Sequence, residues 1–537
     1  MRILLLSMPD SFEHTPPMAM RMPNGALASL AGNVDPHHEV AVADLVLAQG
    51  AVRRTVTGLV ESQKPDVVGL SIMTFQRATA LKIIALVRAL RADVRIVVGG
   101  YDPSLAPEPY ELPAAGVDVL VRGEGDLTFR DLVRALERGD SLECVPGLSF
   151  RRHGAFVRTP PRPVSHLADS EIRPPNRAAR VLTGYTMLGR QVDVVETSRG
   201  CTYDCSFCSI IEMRGRNFHA WSVDRVVADI ADARRHGART IFLVDDNITL
   251  NVSRFLALCR AIRQAGLHTI DYIVQGMTSA IAAAGDELGR AMREAGFRYV
   301  FLGIENVLDQ DLAFLRASAK NARRESGRTV GSATQRAIDV LHRHGMYVVG
   351  GLIVGNPDDT RESIEANLAF ARQFVDWPYI QHPTPYPGTP MTEDFRQRGL
   401  IVNEDVQQYD GTTAVVRTQT LEAEEVEFLR WRAERWMKVR HLPPAFAHDP
   451  RFVLHHGMRM LRHTFRGCTL KTWLRVESER EAFKRYRTIR RQERDYLGSE
   501  PDVAASRDTD RPESFRSGTR VLPDSPLSAI RTESPDP

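Results

Sequence analysis

Three of the chain's six cysteines fall within eight residues, Cys201-Thr-Tyr-Asp-Cys205-Ser-Phe-Cys208. Thiolate is the metal-binding form of cysteine, and a C-x-x-x-C-x-x-C loop can set three thiolates around one face of a cubane iron–sulfur cluster. Three protein ligands leave the fourth iron open, which points to a chemical role rather than electron storage. A three-thiolate zinc knuckle and coincidence are the alternatives. Zinc would want a fourth Cys or His close by, and His219 is poorly placed eleven residues beyond Cys208. Cys259 shares a helical spacing with Phe255, Leu258 and Ile262 and reads as core. Cys144 and Cys468 have no ligand-type neighbours and read the same way. Six cysteines in so long a chain are no disulfide framework, so a reduced, cytoplasmic protein is expected.

The elements that must carry this loop are legible in the apolar pattern. Residues 191–400 contain strand-like runs at Asp193–Ser198, Thr240–Asp245, Ile270–Gln275, Arg298–Gly303, Tyr347–Val354 and Tyr379–Pro383. The helices between them stop at Gly237, Gly266, Gly296 and Gly345, where a left-handed cap is wanted. Six β/α units predict a partial barrel, two units short of a closed one. The cysteines follow its first strand after the turn Arg199-Gly200. Residues 1–140 predict a Rossmann-like parallel sheet, with strands at Arg2–Ser7, Glu39–Asp44, Asp66–Ile72, Val94–Gly99 and Val117–Val121 and helices such as Thr79–Leu90 between them. A Pro- and Arg-rich linker is expected over 141–190 and a helical region over 401–500. The tail 501–537, with six prolines and few apolar residues, is expected to be disordered.

Composition adds exclusions. The 537 residues are 43% hydrophobic and 26% charged, with a net charge of +3, which gives nucleic acid no footing. No window approaches the ~18 uninterrupted apolar residues of a membrane span, and the run Ile3–Leu6 is too short for a signal peptide. The balanced total hides a basic stretch, since residues 451–500 hold 13 Lys+Arg against 6 Asp+Glu. Within it, Phe452–Arg475 interleaves apolar and basic residues. It reads either as a helix lying on an anionic membrane surface or, preferably, as a basic helix packed across the barrel.

From about Asp193 to Pro390 the chain resembles the radical S-adenosylmethionine (SAM) enzymes. Beyond the cysteines, the resemblance rests on motifs at successive strand ends: Phe207 after the second cluster cysteine, Asp245-Asp246-Asn247, Gly303-Ile304-Glu305-Asn306, Gly351-Leu-Ile353-Val-Gly355 and Pro385-Tyr386-Pro387-Gly388-Thr389. It implies a 4Fe-4S cluster on Cys201, Cys205 and Cys208. It further implies adenine contacts from Phe207 and Ile353, and contacts to the methionine and ribose parts of SAM from Asp245, Asp246, Gly303 and Glu305. A Rossmann-like sheet before such a barrel resembles the cobalamin-binding branch, which includes C-methylases and the anaerobic magnesium-protoporphyrin cyclase. The matching turns are Ser71-Ile72-Met73, Gly99-Gly100-Tyr101 and Gly123-Glu124, all at carboxyl ends of expected strands. Ordinary turns of a domain that has lost its ligand are the alternative. The cobalt-binding D-x-H-x-x-G motif is missing: Asp10-Ser-Phe-Glu-His14 is mis-spaced and Asp35-Pro-His37 lacks the glycine. Cobalamin without a protein histidine on cobalt is therefore expected.

The resemblance implies reductive cleavage of SAM to a 5′-deoxyadenosyl radical and, as the leading expectation, methylation of an unactivated carbon through methylcobalamin. Tyr386 is the candidate facing substrate. An oxidative cyclase on the same scaffold and a non-catalytic cobalamin or iron–sulfur sensor are the alternatives. The expected partners are a small-molecule or lipid-like substrate and a one-electron reductant such as flavodoxin or ferredoxin, with no nucleic acid. If the basic helix lies on lipid, the protein is peripheral to the inner face of the membrane.

Overall fold

A computed structural model of the chain describes residues 1–12, 16–325 and 328–498. Continuous Val, Ile and Leu runs can be buried on both faces only in a sheet sandwiched by helices. Five such runs form β1 (Arg2–Ser7), β2 (Glu39–Asp44), β3 (Val67–Ser71), β4 (Arg95–Gly99) and β5 (Val119–Val121), parallel and in the order β2-β1-β3-β4-β5. Helices α1 (Gly25–Asn33) and α4 (Gly125–Arg138) bury Leu27, Ala31, Phe129 and Leu132 on one face. Helices α2 (Val52–Gln63) and α3 (Arg77–Leu90) bury Val56, Val60, Ile83 and Ile84 on the other. Strand order reverses beside β1, and the crevice beyond the strand ends there is where open α/β sheets take ligands.

The expected linker begins later than its composition suggested. Leu148–Arg152 (β6) and Ala155–Arg158 (β7) form a hairpin that extends the first sheet antiparallel to β5. Its two-residue turn has His153 at φ 48° and Gly154 at φ 88°, the left-handed pair that matches strand twist. The arginines that made this passage look like linker are strand residues pointing outward. Further on, Arg177 is buried, with Nε 2.9 Å from Asp193 and Nη1 3.0 Å from Asp232, and Arg180 makes a bidentate pair with Asp193. The crossing between domains is thus anchored to the first barrel strand.

The six expected barrel strands are present as β8 (Arg190–Val195), β9 (Thr240–Leu243), β10 (Asp271–Met277), β11 (Phe297–Glu305), β12 (Tyr347–Ile353) and β13 (Trp377–Gln381). All run parallel in chain order and curl into a half-barrel. At the β8 edge the sheet continues through Thr186–Met187 to Met20–Arg21, so the first domain contributes the last strand of the second. The outer helices include α5 (Ser209–Arg214), α6 (Val223–Arg235), α7 (Val252–Gln264), α8 (Thr278–Ala295), α9 (Thr334–Arg343), α10 (Arg361–Phe374) and α11 (Pro390–Gln397). Gly237, Gly266, Gly296 and Gly345 all have positive φ, as the caps require.

The C-terminal region comprises α12 (Ala423–Arg440), α13 (Leu442–His448), α14 (Pro450–Thr464) and α15 (Glu479–Glu493), with a short turn at Leu470–Trp473 between the last two. No helix among the described residues is long and apolar enough to cross a membrane. The disorder expected for 501–537 lies outside the described residues. Helix α15 is held to the barrel by Arg490 and Arg494, which both reach the buried Asp410. Burial alone would raise the Asp410 pKa, but the two guanidinium groups hold it far below the usual carboxylate range. A carboxylate depressed in the fold contributes stability that is present above its unfolded pKa of about 4 and is lost as pH falls toward the native value. Acidification below pH ~4 should therefore loosen α15, seen as a change in Trp431 fluorescence, since that indole packs 5.7 Å from the Tyr486 ring. Asp410→Asn should flatten this pH dependence and loosen α15 already at neutral pH.

Candidate functional site

The cysteine loop leaves β8 and is closed at its base by a two-residue ladder, Ser198–Arg199 against His219–Ala220. Gly200 opens it at φ 88°, and a Cβ there would lie 2.4 Å from the Asn217 carbonyl oxygen, so no larger residue fits. Ser206, between the second and third cysteines, is pinned from three sides: its N–H donates to the Leu315 carbonyl at 3.0 Å, its hydroxyl to the Phe314 carbonyl at 2.9 Å, and its carbonyl accepts from Met391 N–H at 3.0 Å. The loop is thereby fastened to the far side of the barrel mouth. His219 does not turn toward the cysteines; its Nδ1 lies 3.3 Å from Nδ1 of His166.

This donor set fits a cluster better than a single ion. Among the described residues, the one group of three His, Cys, Asp or Glu side chains whose ligand atoms lie within 4.8 Å of one another is His37, His38 and Glu137. At least one pair of the Cys201, Cys205 and Cys208 sulfurs is thus farther apart than 4.8 Å, wider than two ligands of one tetrahedral zinc. Burial pushes the Cys205 thiol up to about 12 and the Cys208 thiol up to about 11, with the Lys320 ammonium opposing the rise in both. Such thiols ionise at neutral pH only against the positive charge of bound metal. Of the other cysteines, Cys259 is buried as expected, Cys468 has its sulfur 3.0 Å from Arg435 Nη1, and Cys144 is exposed at a surface turn rather than in the core.

The strand-end motifs divide between lining and support. Asp245 accepts from Thr197 N at 2.6 Å, Thr197 Oγ1 at 2.5 Å and Ser198 Oγ, so it braces the loop base from below, and burial pushes its carboxyl up to about 6. Its neighbour Asp246 accepts from Gly200 N at 2.7 Å and borders the crevice between the domains. Glu305 sits at φ 61°, a strained conformation for a side chain of its size, and pairs with Lys320. A Cβ on Gly303 would meet the Glu305 carboxylate at 2.9 Å, so this glycine makes room for the pair. Phe207, Ile353 and Tyr386 come together in one apolar cluster at the barrel mouth. The Tyr386 hydroxyl donates to the Tyr409 carbonyl at 3.1 Å, so it forms wall and has no free proton to give.

All seven residues expected to cradle a second cofactor, Ser71, Met73, Gly99, Gly100, Tyr101, Gly123 and Glu124, line one crevice of about 480 Å³ between the domains. Its walls test the fit. A Cβ on Gly100 would strike the Ile72 carbonyl at 2.7 Å, whereas at Gly123 it would project into open space. Arg214 is buried in this wall with Nη2 2.8 Å from Glu124, yet its Nε and Nη1 have no hydrogen-bond partner. Two unsatisfied buried donors in a glycine-lined crevice suit a ligand rich in amide and phosphate acceptors, such as cobalamin. Among the described residues, no histidine lines the crevice. His37 faces Glu137 at the end of α4, whereas Gly125, at the start of that helix, is the end that lines the crevice. His14 lies outside the described residues.

Sequence reasoning missed Lys320, Arg214 and a chamber inside the half-barrel. The chamber, about 680 Å³, is lined mainly by apolar and aromatic side chains of β10–β13 and α14. Met22, Met73 and Tyr101 line both crevice and chamber, and Ser209 and Ile210, immediately after Cys208, line the chamber's upper end. Lysine itself was the available signal. Only six of the chain's 70 cationic residues are lysines, and two of these, Lys320 and Lys438, face the interior sites.

Comparison with known proteins agrees with this geometry. Residues 195–371 match the Radical SAM superfamily and residues 15–133 the B12 binding domain. An uncharacterized methyltransferase of Pyrococcus horikoshii is 29% identical over 87% of this chain and 98% of that protein. An anaerobic magnesium-protoporphyrin IX monomethyl ester cyclase of Rubrivivax gelatinosus is 24% identical over 71% of this chain and 66% of that one. The radical SAM methyltransferase TsrM from Kitasatospora setae, solved with cobalamin and a [4Fe-4S] cluster bound, superposes with a TM-score of 0.59. It covers 74% of this chain and 75% of that one at 20% identity, a likeness of fold.

After anaerobic reconstitution, Cys201→Ala, Cys205→Ala and Cys208→Ala should each lose the iron and sulfide content of the parent protein. Cys259→Ala should keep both while losing about 1–2 kcal/mol of stability in chemical denaturation, the cost of a small cavity.

Proposed function

We propose that this chain, whose residues 195–371 match the Radical SAM superfamily and residues 15–133 the B12 binding domain, methylates an unactivated carbon of an organic substrate. The observation that carries this reading is the shared border of the three sites. Met73 and Tyr101 face both the crevice and the chamber, and the residues next to Cys208 form the chamber's upper wall. A methyl carrier, a radical generator and a substrate cavity must adjoin for methyl transfer to carbon, whereas a cyclase has no need of the carrier's methyl.

Cys201, Cys205 and Cys208 would hold the cluster, and Ser71, Met73, Gly99, Gly100, Tyr101, Gly123 and Glu124 would cradle cobalamin. When bound, these groups supply the electron for reductive cleavage of SAM and the carrier for the transferred methyl. Asp246 and Glu305 present carboxylate oxygens for the amino and hydroxyl groups of SAM, with Gly303 keeping the Glu305 side chain close to the strand. Phe207 and Ile353 offer its adenine an apolar face. Asp245 acts one layer back, as the brace of the cysteine loop. The aromatic chamber wall keeps water and labile protons from a reactive carbon centre, a role that fits Tyr386 with its hydroxyl already committed.

The reading needs a one-electron donor such as flavodoxin or ferredoxin and a reducing, cytoplasmic setting. It also gives the C-terminal helices a surface role. Between Arg451 and Val476 there are six Arg and Lys and no Asp or Glu. Leu454, Met458, Leu470, Trp473, Leu474 and Val476 are all more than half exposed there. Basic charge interleaved with exposed apolar side chains suits peripheral contact with an anionic membrane.

The test is product balance in anaerobically reconstituted protein given methyl-deuterated SAM and a cell extract. Methyl transfer should yield S-adenosylhomocysteine alongside 5′-deoxyadenosine, together with a product carrying the deuterated methyl. 5′-Deoxyadenosine without S-adenosylhomocysteine would favour cyclisation, and neither product would leave a sensor. Cys205→Ala should abolish both, a loss of at least about 100-fold for removal of a cofactor ligand.

A further inference from the structure

The chamber runs along the barrel strands and its charged side chains are confined to one end. Along β13 the inward residues are Trp377, Tyr379 and Gln381, and four residues of strand span about 13 Å. Its middle is Ile273, Phe301, Val349 and Tyr379, with no charged group. At the upper end, beside Tyr101 and Ser209, the polar side chains include the neutral Gln275 and Gln381. At the lower end stand two charges, Asp449 and Lys438.

Those two differ in what they already hold. Asp449 accepts from the Tyr299 hydroxyl and lies 3.8 Å from Arg190 Nη2 and 3.6 Å from His448 Nδ1. Lys438 is half-buried, its Nζ lies 5.6 Å from the centre of the Trp377 ring, and among the described residues it forms no ion pair. A half-buried cation without a carboxylate partner at the end of an apolar cavity is a site for the anionic end of a ligand. With Asp449 already 3.8 Å from Arg190, one further ammonium balances a single negative charge, whereas a phosphate monoester, at about −1.5 to −2, would leave excess negative charge at this end.

We propose that the substrate is an elongated apolar carboxylic acid, seated with its carboxylate on Lys438 and with the carbon to be methylated at the Tyr101 and Ser209 end. This rests on the methyl-transfer reading for which end reacts, but the binding geometry stands apart from turnover. The wall that closes the chamber supports the class. Phe452, Val453, Gly457, Met460, Leu461 and Thr464 of α14 line it, while Leu454 and Met458 of the same helix face outward at 72% and 65% exposure. A helix apolar on both sides suits the passage of an amphiphile from a lipid surface into the barrel.

The experiment is isothermal titration calorimetry of the anaerobically reconstituted holoenzyme with dodecanoate and with dodecan-1-ol, the same chain without the charge. Dodecanoate should bind saturably at one site and the alcohol about tenfold more weakly, the worth of one charge-assisted hydrogen bond. Lys438→Met should bring dodecanoate down to the level of the alcohol and leave the alcohol unchanged, and Lys438→Arg should restore most of the difference. Val349→Trp, which fills the middle of the chamber, should weaken both, separating chamber binding from adsorption on the outer face of α14. The proposal is overturned by absence of saturable binding, by equal affinity for acid and alcohol, or by discrimination that survives Lys438→Met. Product balance measured on the same preparation tells failure of this assignment from failure of the methyl-transfer reading, since either result can stand without the other.

Discussion

The ion pair between Arg199 and Asp126 is the contact on which the rest of the site depends. Arg199 precedes the first cysteine of the loop by two residues, and Asp126 lies in the first turn of α4, in the other domain. Nη1 of Arg199 reaches Asp126 at 2.7 Å while its Nε reaches Glu196 at 2.8 Å. Burial would weaken the charge on Arg199, but Asp126 and Glu196 more than offset it, and the guanidinium is held well above its ordinary pKa. Asp126 also accepts from Ser29 of α1. One arginine therefore joins the cysteine loop, the barrel strand and two helices of the first domain, and it does so beside the crevice. Loss of Arg199 leaves Asp126 a buried carboxylate with only the Ser29 hydroxyl against it, at a cost on the order of 3–5 kcal/mol.

That tie explains why two sheets with separate cores act as one site. Both are parallel, so both bring their loops to the carboxyl ends of their strands, and the pair faces those ends toward each other. The edge strand Met20–Arg21 and the buried Arg177 and Arg180 add further ties to the barrel. The crevice and the barrel chamber consequently meet at Met73 and Tyr101 rather than lying on separate surfaces.

The interior of a closed barrel is normally filled by layers of its own side chains. Six strands curl without closing, and the aromatic residues on their inner face line a cavity. Phe301 can turn inward because β12 carries Gly351 two residues beyond its register partner Val349, where a Cβ would meet the ring at 2.9 Å. The open side is covered by α14 instead of two further strands. A cavity walled in this way is set in part by a helix outside the barrel sequence.

Much of this was legible in residue order. The cysteine spacing, the strand-end motifs and the runs of Val, Ile and Leu are local signals, and each needs only its own neighbours to have meaning. They determined two parallel sheets, a three-thiolate loop after the first barrel strand and glycine-rich turns at the other strand ends. The hairpin at β6 and β7 escaped because outward-facing arginines masked its alternation. Asp245 and Asp246 could not be told apart, since adjacent carboxylates differ only in which way the folded chain turns them: one is saturated by Thr197 and Ser198, the other looks into the crevice. Lys320 and Lys438 carry no motif, and their meaning lies in partners far along the chain. The sequence by itself thus determined which chemistry can be held, because metal ligation and strand formation follow from nearby residues. Only the tertiary structure decided what that chemistry can reach, because the shape and charge of a cavity come from side chains that burial brings together across the whole chain.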